Sequence, residues 1–291
     1  MSLSSWILSL LPINFFILTQ AGILPNGVNL QPSYYNNGNV SFGWPLMKKQ
    51  YKIKTVRIEI EPTSVNQAKT WITEARNNGY NVIATYHKSA VLGSNDANEL
   101  ANAAYWWIQN YENLGADFTI NLMNEWSNHN ISANDYATAY NLAIRIVRQV
   151  YSGRIIIDIP GWGQETKTAA DAVKGTYGTK INDTNIVLST HIYPGGWNQG
   201  ANRWLSTADL DELASAGLPC IVGEFGKDHG SGGANVSQLV NYARTKGWTV
   251  LAWSWNGDGT GMNMVEPPWS SNSQASNFNL SSYFNVVYPL L

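Results

Sequence analysis

The segments Arg154-Ile-Ile-Ile-Asp-Ile159 and Ile186-Val-Leu-Ser-Thr190 decide the fold of this chain. Both are short apolar runs, which are typical of parallel strands that are buried on both faces. Residues 166–177, which lie between them, are predicted to form a helix. A strand, a helix and a second strand in this order form the repeating unit of an α/β domain.

The same alternation extends along the chain in both directions. The predicted strands are Gly27–Leu30, Thr55–Ile60, Asn81–Tyr86, Phe118–Met123, Arg154–Ile159, Ile186–Thr190, Cys220–Gly223 and Thr249–Ser254. The predicted helices are Ser64–Asn78, Ala97–Leu114, Ala133–Val150, Thr166–Tyr177, Ala201–Ala216 and Val236–Lys246. Eight strand–helix units without a linker predict an α/β fold, a single closed (β/α)8 TIM barrel over residues 22–291. An open doubly wound sheet is the alternative, but the glycine-rich nucleotide motifs that would accompany it are absent from the sequence.

The composition indicates a neutral ligand. Lys and Arg number 18 and Asp and Glu 20, so the net charge is -2 and nucleic acid is not an expected partner. The 13 Trp and 15 Tyr favour a ligand bound by ring faces and hydroxyls. Cys220 is the only cysteine, which excludes an internal disulfide, and its apolar neighbours predict a buried small hydrophobe. Four scattered His without an i, i+4 pair predict no metal site.

The N-terminus resembles a secretory signal. Residues 3–18 are mostly apolar and are followed by Thr19-Gln-Ala-Gly22, so residues 1–21 are predicted to be a cleaved signal peptide. The first basic residue is Lys48, and a membrane anchor or a buried N-terminal helix is the alternative. With the signal removed, we expect a secreted glycoprotein that has no membrane contact. The five glycosylation sequons begin at Asn39, Asn130, Asn182, Asn235 and Asn279.

Two glutamates follow strands whose carboxyl ends meet at one mouth of the predicted barrel. Glu125 follows the fourth strand and Glu224 follows the seventh. Glycoside cleavage needs one protonated carboxyl to protonate the leaving oxygen and one ionised carboxylate to meet the sugar. Arg57 and the Tyr193 hydroxyl are predicted to hold Glu224 ionised, whereas poor solvation against Trp126 should keep Glu125 protonated. Their carboxyls should lie about 5–5.5 Å apart, as in retaining enzymes.

Other polar and aromatic side chains at the strand ends are predicted to bind the substrate. Trp126, Trp162 and Trp197 follow the fourth, fifth and sixth strands and are candidate walls for sugar rings. The loop histidines His129 and His229 are predicted to be solvated, and Gly257–Gly261 to be a flexible loop. The remaining strand-end residues are Arg57, His87, Asn124, Gln164, His191, Tyr193 and Trp253. The tryptophans predicted to pack helices on the barrel are Trp71, Trp106, Trp107, Trp204 and Trp248.

At these positions the sequence resembles glycoside hydrolase family 5 over residues 27–265. The family's set of site residues is present in order: Arg57, His87, Asn124, Glu125, His191, Tyr193, Glu224 and Trp253. The resemblance implies that Glu125 is the acid/base and Glu224 the nucleophile. It also implies that Asn124 binds the 2-hydroxyl of the reacting sugar and that Trp253 forms the floor beneath that sugar.

Within the family, the sequence is most similar to bacterial-type endo-β-1,4-mannanases. Two positions depart from that pattern: Lys88 stands where an acidic residue is usual, and Asn256 where a basic one is common. The stretches that carry the similarity are Asn124-Glu-Trp126, Gly161-Trp-Gly-Gln164, Gly223-Glu-Phe-Gly226 and Leu251-Ala-Trp-Ser-Trp255.

The resemblance implies a monomeric, retaining mannanase that needs no cofactor and acts on a β-linked polysaccharide. The alternatives are an endo-β-1,4-glucanase, a sugar-binding barrel without turnover, and a metal-dependent barrel hydrolase. Reducing-sugar release from mannans and from carboxymethyl-cellulose distinguishes a mannanase from a glucanase. Binding without new reducing ends would indicate a sugar-binding barrel, and inhibition by EDTA would indicate a metal-dependent hydrolase.

Overall fold

The computed structural model describes residues 24–227 and 233–291. In these residues, eight parallel strands close into a barrel, in which each strand pairs with the next and the last pairs with the first. The strands are β1 (Gly27–Leu30), β2 (Thr55–Ile60), β3 (Asn81–Tyr86), β4 (Thr119–Asn121), β5 (Ile155–Asp158), β6 (Ile186–Ile192), β7 (Cys220–Phe225) and β8 (Thr249–Asn256). The predicted (β/α)8 barrel is confirmed. The predicted signal peptide, residues 1–21, lies outside the described residues.

Helices cover the outside of the barrel. Polar side chains cap several of them: Asp96, Ser132 and Asn235 each accept a backbone N–H from the first turn of the helix that follows. The predicted helix starts at 97, 133, 166 and 236 agree with the structure, whereas the predicted ends overrun by one to four residues. The helices are α1 (Trp44–Met47), α2 (Val65–Asn77), α3 (Ala97–Asn110), α4 (Ala133–Val147), α5 (Pro160–Gly163), α6 (Thr166–Lys174), α7 (Thr207–Ala214), α8 (Val236–Thr245) and α9 (Phe284–Val287).

The segment before α7 departs from the prediction of a helix over 201–216. Trp197–Asn198 and Arg203–Trp204 form a two-stranded antiparallel ribbon, and α7 begins only at Thr207. Trp204 is 48% exposed on this ribbon, so its predicted packing between helix and barrel is wrong. The other four tryptophans predicted to pack there are buried.

Alternation along the strands separates the core into two parts. On β2, Val56, Ile58 and Ile60 belong to the large core that packs under the helices, while Arg57 reaches across the barrel. A separate apolar cluster takes one side chain from each of five strands and therefore fills the barrel interior. Its members are Ile83, Ile156, Val187, Ile221 and Leu251. Above this floor, towards the carboxyl ends of the strands, the interior is polar.

A bulge in β7 aims Glu224 into the barrel mouth. The pairing of β6 with β7 shifts between Thr190 and His191, so His191 lies opposite Glu224. A side chain on Gly223 would meet the Ser189 hydroxyl at 2.1 Å, so only glycine fits at this close approach. Bulges of this kind commonly redirect a side chain beside an active site.

Two further expectations concern Cys220 and the membrane. Burial raises the pKa of the Cys220 thiol to about 12. Its predicted role as a buried, unreactive side chain is therefore confirmed. None of the helices in the described residues has both the length and the apolarity to cross a bilayer.

Candidate active site

Glu125 and Glu224 meet at the carboxyl-terminal mouth of the barrel. One carboxylate oxygen of each lies within 4.8 Å of the other. Inverting glycosidases separate their carboxyls by about 6.5–9.5 Å to admit a water, whereas retaining enzymes hold them about 5–5.5 Å apart. Oxygens that lie within 4.8 Å agree with the shorter of these two spacings. Two acidic side chains that are remote in sequence are thus brought together as the sequence predicts.

The surroundings of Glu224 favour its ionised form. Arg57 Nη1 lies 2.9 Å from Glu224 Oε1, and the Tyr193 hydroxyl donates to Oε2 at 2.7 Å. Burial alone would raise the pKa of Glu224, but the charges of His191 and Arg57 and the Tyr193 hydrogen bond outweigh it and lower that pKa. The predicted partners of Glu224, Arg57 and Tyr193, are both in place.

The surroundings of Glu125 shift its pKa in the opposite direction. Burial is the largest cause of its raised pKa, and the negative charges of Glu224 and Asp158 raise it further, against the effect of His191. His191 Nδ1 lies 2.9 Å from Glu125 Oε1. The two catalytic candidates therefore have pKa values shifted in opposite directions, which is the arrangement an acid and a nucleophile require.

The backbone of Glu125 is strained and firmly held. Its φ of +47° lies in the left-handed region, which glutamate rarely adopts. The Glu125 N–H donates to Asp158 Oδ2 at 3.0 Å, and the Glu125 carbonyl accepts from the Gly93 N–H at 2.9 Å. Such strain persists where the surrounding contacts over-determine it, and it is concentrated at functional residues.

Trp126 does not line the cleft, so its predicted role is wrong. Its side chain is fully buried, packs against the Tyr136 and Tyr140 rings, and donates from Nε1 to the Asp96 carbonyl. The positive φ values of Glu125 (+47°) and Ser127 (+82°) reverse the chain and turn the intervening side chain into the core. Glu125 owes its raised pKa to its own burial and to neighbouring charges.

Arg57 and His191 act from beneath the pocket. Both are fully buried. Arg57 donates to Glu224 and, from Nη2 at 2.5 Å, to the Asn124 side-chain oxygen, while His191 contacts Glu125. They therefore affect a bound sugar through these three side chains, and the predicted direct binding role of Arg57 and His191 is replaced by a positioning role.

The open pocket above them contains six of the predicted site residues: His87, Asn124, Glu125, Tyr193, Glu224 and Trp253. Seven further residues line it that were not predicted as site residues: Gln31, Tyr34, Tyr35, Glu59, Leu92, Gly257 and Gly259. Tyr34 and Tyr35 lie in the loop that follows β1, so their position after a strand end was a usable signal. Glu59 lies two residues from Arg57 on β2, and the period of a strand places both on one face.

The loop after β5 lies outside this pocket. Trp162 packs beside the His129 ring, and Gln164 Oε1 accepts the Trp197 N–H at 2.8 Å. Gln164 thus ties the loop after β5 to the ribbon after β6, and neither predicted contact with substrate is among the pocket-lining side chains. The His129 side chain is 21% exposed, and its Nδ1 lies 2.6 Å from the buried Glu165 carboxylate, so this loop histidine is only partly solvated. His229 lies outside the described residues.

The loop after β8 is ordered by Asp258. Asp258 Oδ2 accepts hydrogen bonds from Thr260, Gly261 and Met262, and Oδ1 accepts the Trp253 indole N–H at 3.0 Å. Asp258 is 6% exposed, so the predicted flexible loop is instead a fixed one. Asp258 therefore orients the Trp253 ring in the pocket.

Replacing Asp258 by Asn is expected to lower activity by roughly tenfold, because the amide must turn its NH2 towards either the Trp253 indole or the loop N–H groups. Melting temperature should fall by about 2–4 °C. Asp183→Asn is the control: this Asp pairs with Arg148 away from the pocket. It should lower the melting temperature and leave kcat/KM unchanged. Equal kcat/KM values for both variants would contradict the role of Asp258 in orienting Trp253.

Replacing Tyr193 by Phe is expected to move the acid limb of the kcat/KM profile upward by about one pH unit. The reason is that Glu224 would lose a hydrogen bond to its charged form, which raises its pKa, and activity requires Glu224 ionised. Tyr35→Phe is the matched control, because the Tyr35 hydroxyl donates to the Gly257 carbonyl at 3.1 Å and touches neither glutamate. A limb that moves equally in both variants would count against this role.

Glu125, Glu224 and His191 have enough potential ligand atoms for a metal ion, but those atoms are engaged in other contacts. One oxygen of each glutamate and one His191 ring nitrogen lie within 4.8 Å of one another. However, Glu224 is hydrogen-bonded to Arg57 and Tyr193, and His191 Nδ1 to Glu125. Neighbouring carboxylates raise the pKa of His191 against the effect of burial, and a protonated ring cannot ligate. The donors are arranged for proton transfer.

Comparison with known proteins places this geometry in a family. The family model described as Cellulase (glycosyl hydrolase family 5) matches residues 35–259. The chain belongs to glycoside hydrolase family 5. The family match begins only after β1, and the eight residues that carry the resemblance all fall within it.

Individual proteins are similar to most of this chain. A mannan endo-1,4-beta-mannosidase of Streptomyces lividans is 26% identical over 211 residues, which cover 70% of this chain and 53% of that enzyme. The chain therefore spans about half the length of this relative. One from Salipaludibacillus agaradhaerens is 25% identical over 248 residues, 80% of this chain and 76% of that enzyme. The catalytic domain of a mannanase from Streptomyces sp. SirexAA-E has the same fold, with a TM-score of 0.72 and 21% identity over 96% of this chain and 93% of that one.

Proposed function

We propose that this chain is a retaining endo-β-1,4-mannanase, which cleaves internal bonds of mannan, glucomannan or galactomannan. The observation that carries the proposal is the Glu125–Glu224 pair, whose oxygens lie within 4.8 Å and whose pKa values shift in opposite directions. The names of the relatives from Streptomyces lividans and Salipaludibacillus agaradhaerens support mannan as the substrate.

The first step forms a glycosyl-enzyme. Glu224, held ionised by Arg57 and Tyr193, attacks the anomeric carbon, and the bond to the departing sugar breaks as Glu125 gives its proton to the leaving oxygen. His191 contacts the Glu125 carboxyl and stabilises the carboxylate that this proton transfer leaves.

The second step releases the sugar. Glu125, now ionised, removes a proton from a water, the water oxygen attacks the anomeric carbon, and the bond to Glu224 breaks. Two inversions at one carbon retain its configuration. Both glutamates then return to their starting protonation states, so no co-reactant besides water is consumed.

Neighbouring side chains position the sugar. Asn124, whose side-chain oxygen accepts from Arg57, presents its NH2 to the 2-hydroxyl of the reacting residue. The Trp253 ring, oriented by Asp258, forms the floor. Asn256 is 1% exposed and accepts N–H groups of Gly257 and Trp269, so this departure from the mannanase pattern is buried at the end of β8. The other departure, Lys88, pairs with Glu99 at 2.6 Å.

The endo-β-1,4-glucanase alternative keeps the same chemistry, and the description of the matching family as Cellulase is the observation in its favour. A digest of mannohexaose and cellohexaose in parallel, read by mass, distinguishes the two. We expect mannohexaose to yield mannobiose to mannotetraose, and cellohexaose to stay intact. Cleavage of cellohexaose alone would replace the mannanase proposal. Intact mannohexaose and cellohexaose would leave a sugar-binding barrel as the interpretation.

We also propose that the protein is a secreted, monomeric glycoprotein. All five sequon asparagines are exposed, which supports glycosylation. Asn235 caps α8 through its side-chain oxygen, and that cap is compatible with a glycan on the nitrogen. Expression in a secreting eukaryotic host should yield a protein in the medium whose mass falls after removal of N-glycans. An unchanged mass would contradict glycosylation.

A further inference from the structure

A third carboxylate, Glu59, lies in the wall of the pocket beside the catalytic pair. Its side chain is 1% exposed. Glu59 Oε1 accepts from Arg57 Nη1 at 2.9 Å, and Oε2 accepts from the Gln31 amide at 2.7 Å. The His87 Nε2 atom lies 3.4 Å from Oε2. Both oxygens of this carboxylate therefore have protein partners.

Glu59 and Glu224 share one nitrogen of the Arg57 guanidinium as their partner. Arg57 Nη1 lies 2.9 Å from Glu59 Oε1 and also 2.9 Å from Glu224 Oε1. His87, which lines the pocket, stands in turn between two carboxylates, with Nε2 towards Glu59 and Nδ1 at 3.1 Å from Glu61. Glu59 thus contacts both Arg57, the cation that pairs with Glu224, and His87 in the wall of the pocket.

We propose that Glu59 is a positioning residue of the reaction, a third carboxylate that shares the Arg57 guanidinium with Glu224 and fixes His87 in the pocket wall. The inference rests on the proposed acid/base role of Glu125. The titratable or charged groups that act on Glu59 are Arg57 on β2, Tyr34 after β1, His87 after β3, Glu125 after β4 and Glu224 in β7. Two more lie one contact further away: Asp158 in β5 pairs with Arg57, and Glu61 after β2 pairs with His87.

The charge of Glu59 is coupled to that of the acid/base. Burial is the main cause that raises the pKa of Glu59 to about 7, with Glu224 and Glu125 adding to the rise against His87 and Arg57. The pKa of Glu125 is raised as well, and the charge of Glu224 contributes to both shifts. Two carboxylates in one poorly solvated pocket oppose each other's ionisation. An ionisable residue at position 59 thus keeps Glu125 protonated to a higher pH.

The acid limb of the kcat/KM profile should respond to a change at position 59 differently from the alkaline limb. Activity falls there as Glu224 becomes protonated, and the pKa of Glu224 is lowered. At such pH values Glu59 is already neutral, so a neutral side chain at position 59 changes little. Replacing Glu59 by Gln is accordingly expected to shift only the alkaline limb, by about one unit to lower pH.

The decisive experiment titrates Glu125 without substrate. Protein labelled with ¹³C at the glutamate carboxyls is followed by NMR from pH 3 to 9, and Glu125 is assigned with a Glu125→Gln variant. We expect the Glu125 midpoint to fall by about one unit in Glu59→Gln. In Glu61→Gln, which also removes a partner of His87 but none of Arg57, the midpoint should not fall. The alkaline limb of kcat/KM should move with the midpoint.

Two outcomes would overturn the proposal: an unmoved Glu125 midpoint in Glu59→Gln, or an equal fall in Glu61→Gln. A purely structural Glu59 would lower the melting temperature and leave the midpoint in place. Should Glu59→Gln not fold, Gln31→Met removes the hydrogen bond to Glu59 Oε2 and should shift the midpoint in the same direction by a smaller amount. Because the titration needs no substrate, failure to hydrolyse mannan would overturn the proposed function and leave this test intact.

Discussion

Replacing Glu224 by Ala is expected to lower kcat/KM on mannan by at least about 10⁴-fold, because the first step loses its nucleophile. The fold should persist, since Arg57 keeps its contacts with Glu59 and Asp158. Azide fits the space that the side chain leaves and attacks the same face of the sugar, so the variant with azide should release an α-glycosyl azide. The measurements are steady-state kinetics and mass and NMR analysis of the products.

Glu74→Gln is the control for this loss. Glu74 is an acidic residue of α2 that accepts from the Trp44 indole, away from the pocket. It should retain wild-type activity. A Glu224→Ala protein that keeps more than about a hundredth of the activity would exclude Glu224 as the nucleophile.

Replacing Glu125 by Ala is expected to affect mannan and a dinitrophenyl β-mannobioside differently, because their leaving groups differ. Hydrolysis of mannan should fall by about 10³–10⁴-fold, since the leaving sugar oxygen needs a proton. The first step on a dinitrophenyl β-mannobioside should be nearly unaffected, because that leaving group departs as an anion. The second step lacks its base, so a burst of dinitrophenol should precede slow turnover, and azide should restore turnover with a β-glycosyl azide as product. Equal losses on both substrates would refute the acid role.

The two glutamates also predict a bell-shaped pH profile. Activity is lost as pH falls through the pKa of Glu224, which is lowered, and as pH rises through the pKa of Glu125, which is raised. Both shifts widen the active range around the ordinary glutamate value, since they move in opposite directions.

The barrel could be predicted from the sequence because its signals are local. The bounds of β1, β2 and β3 agree with the prediction, as their apolar runs are closed by turn residues. The prediction for the segment before α7 was wrong because Trp204 and Leu205 fit a helical pattern. The pairing of Trp197 with Trp204 across a ribbon depends on contacts that local spacing does not encode.

The catalytic pair and its main partners could be predicted because strand ends converge in a barrel. Trp126 could not, since its direction depends on the left-handed backbone of Glu125, which the sequence does not reveal. Glu59 could have been found, because period-two alternation places it on the inward face with Arg57. The order in the loop after β8 depends on the many hydrogen bonds of Asp258, and spacing alone gives no sign of them.

The anomeric form of the first product shows whether Glu224 forms a covalent bond with the sugar. Proton NMR of mannohexaose, recorded within the first minutes of hydrolysis by the wild-type enzyme, should show new reducing ends as the β-anomer, with the α-anomer appearing only at the rate of mutarotation. This result is required if Glu224 bonds to the sugar and Glu125 protonates the leaving oxygen. Initial release of the α-anomer would mean a single displacement by water, which contradicts the double displacement proposed for this pair.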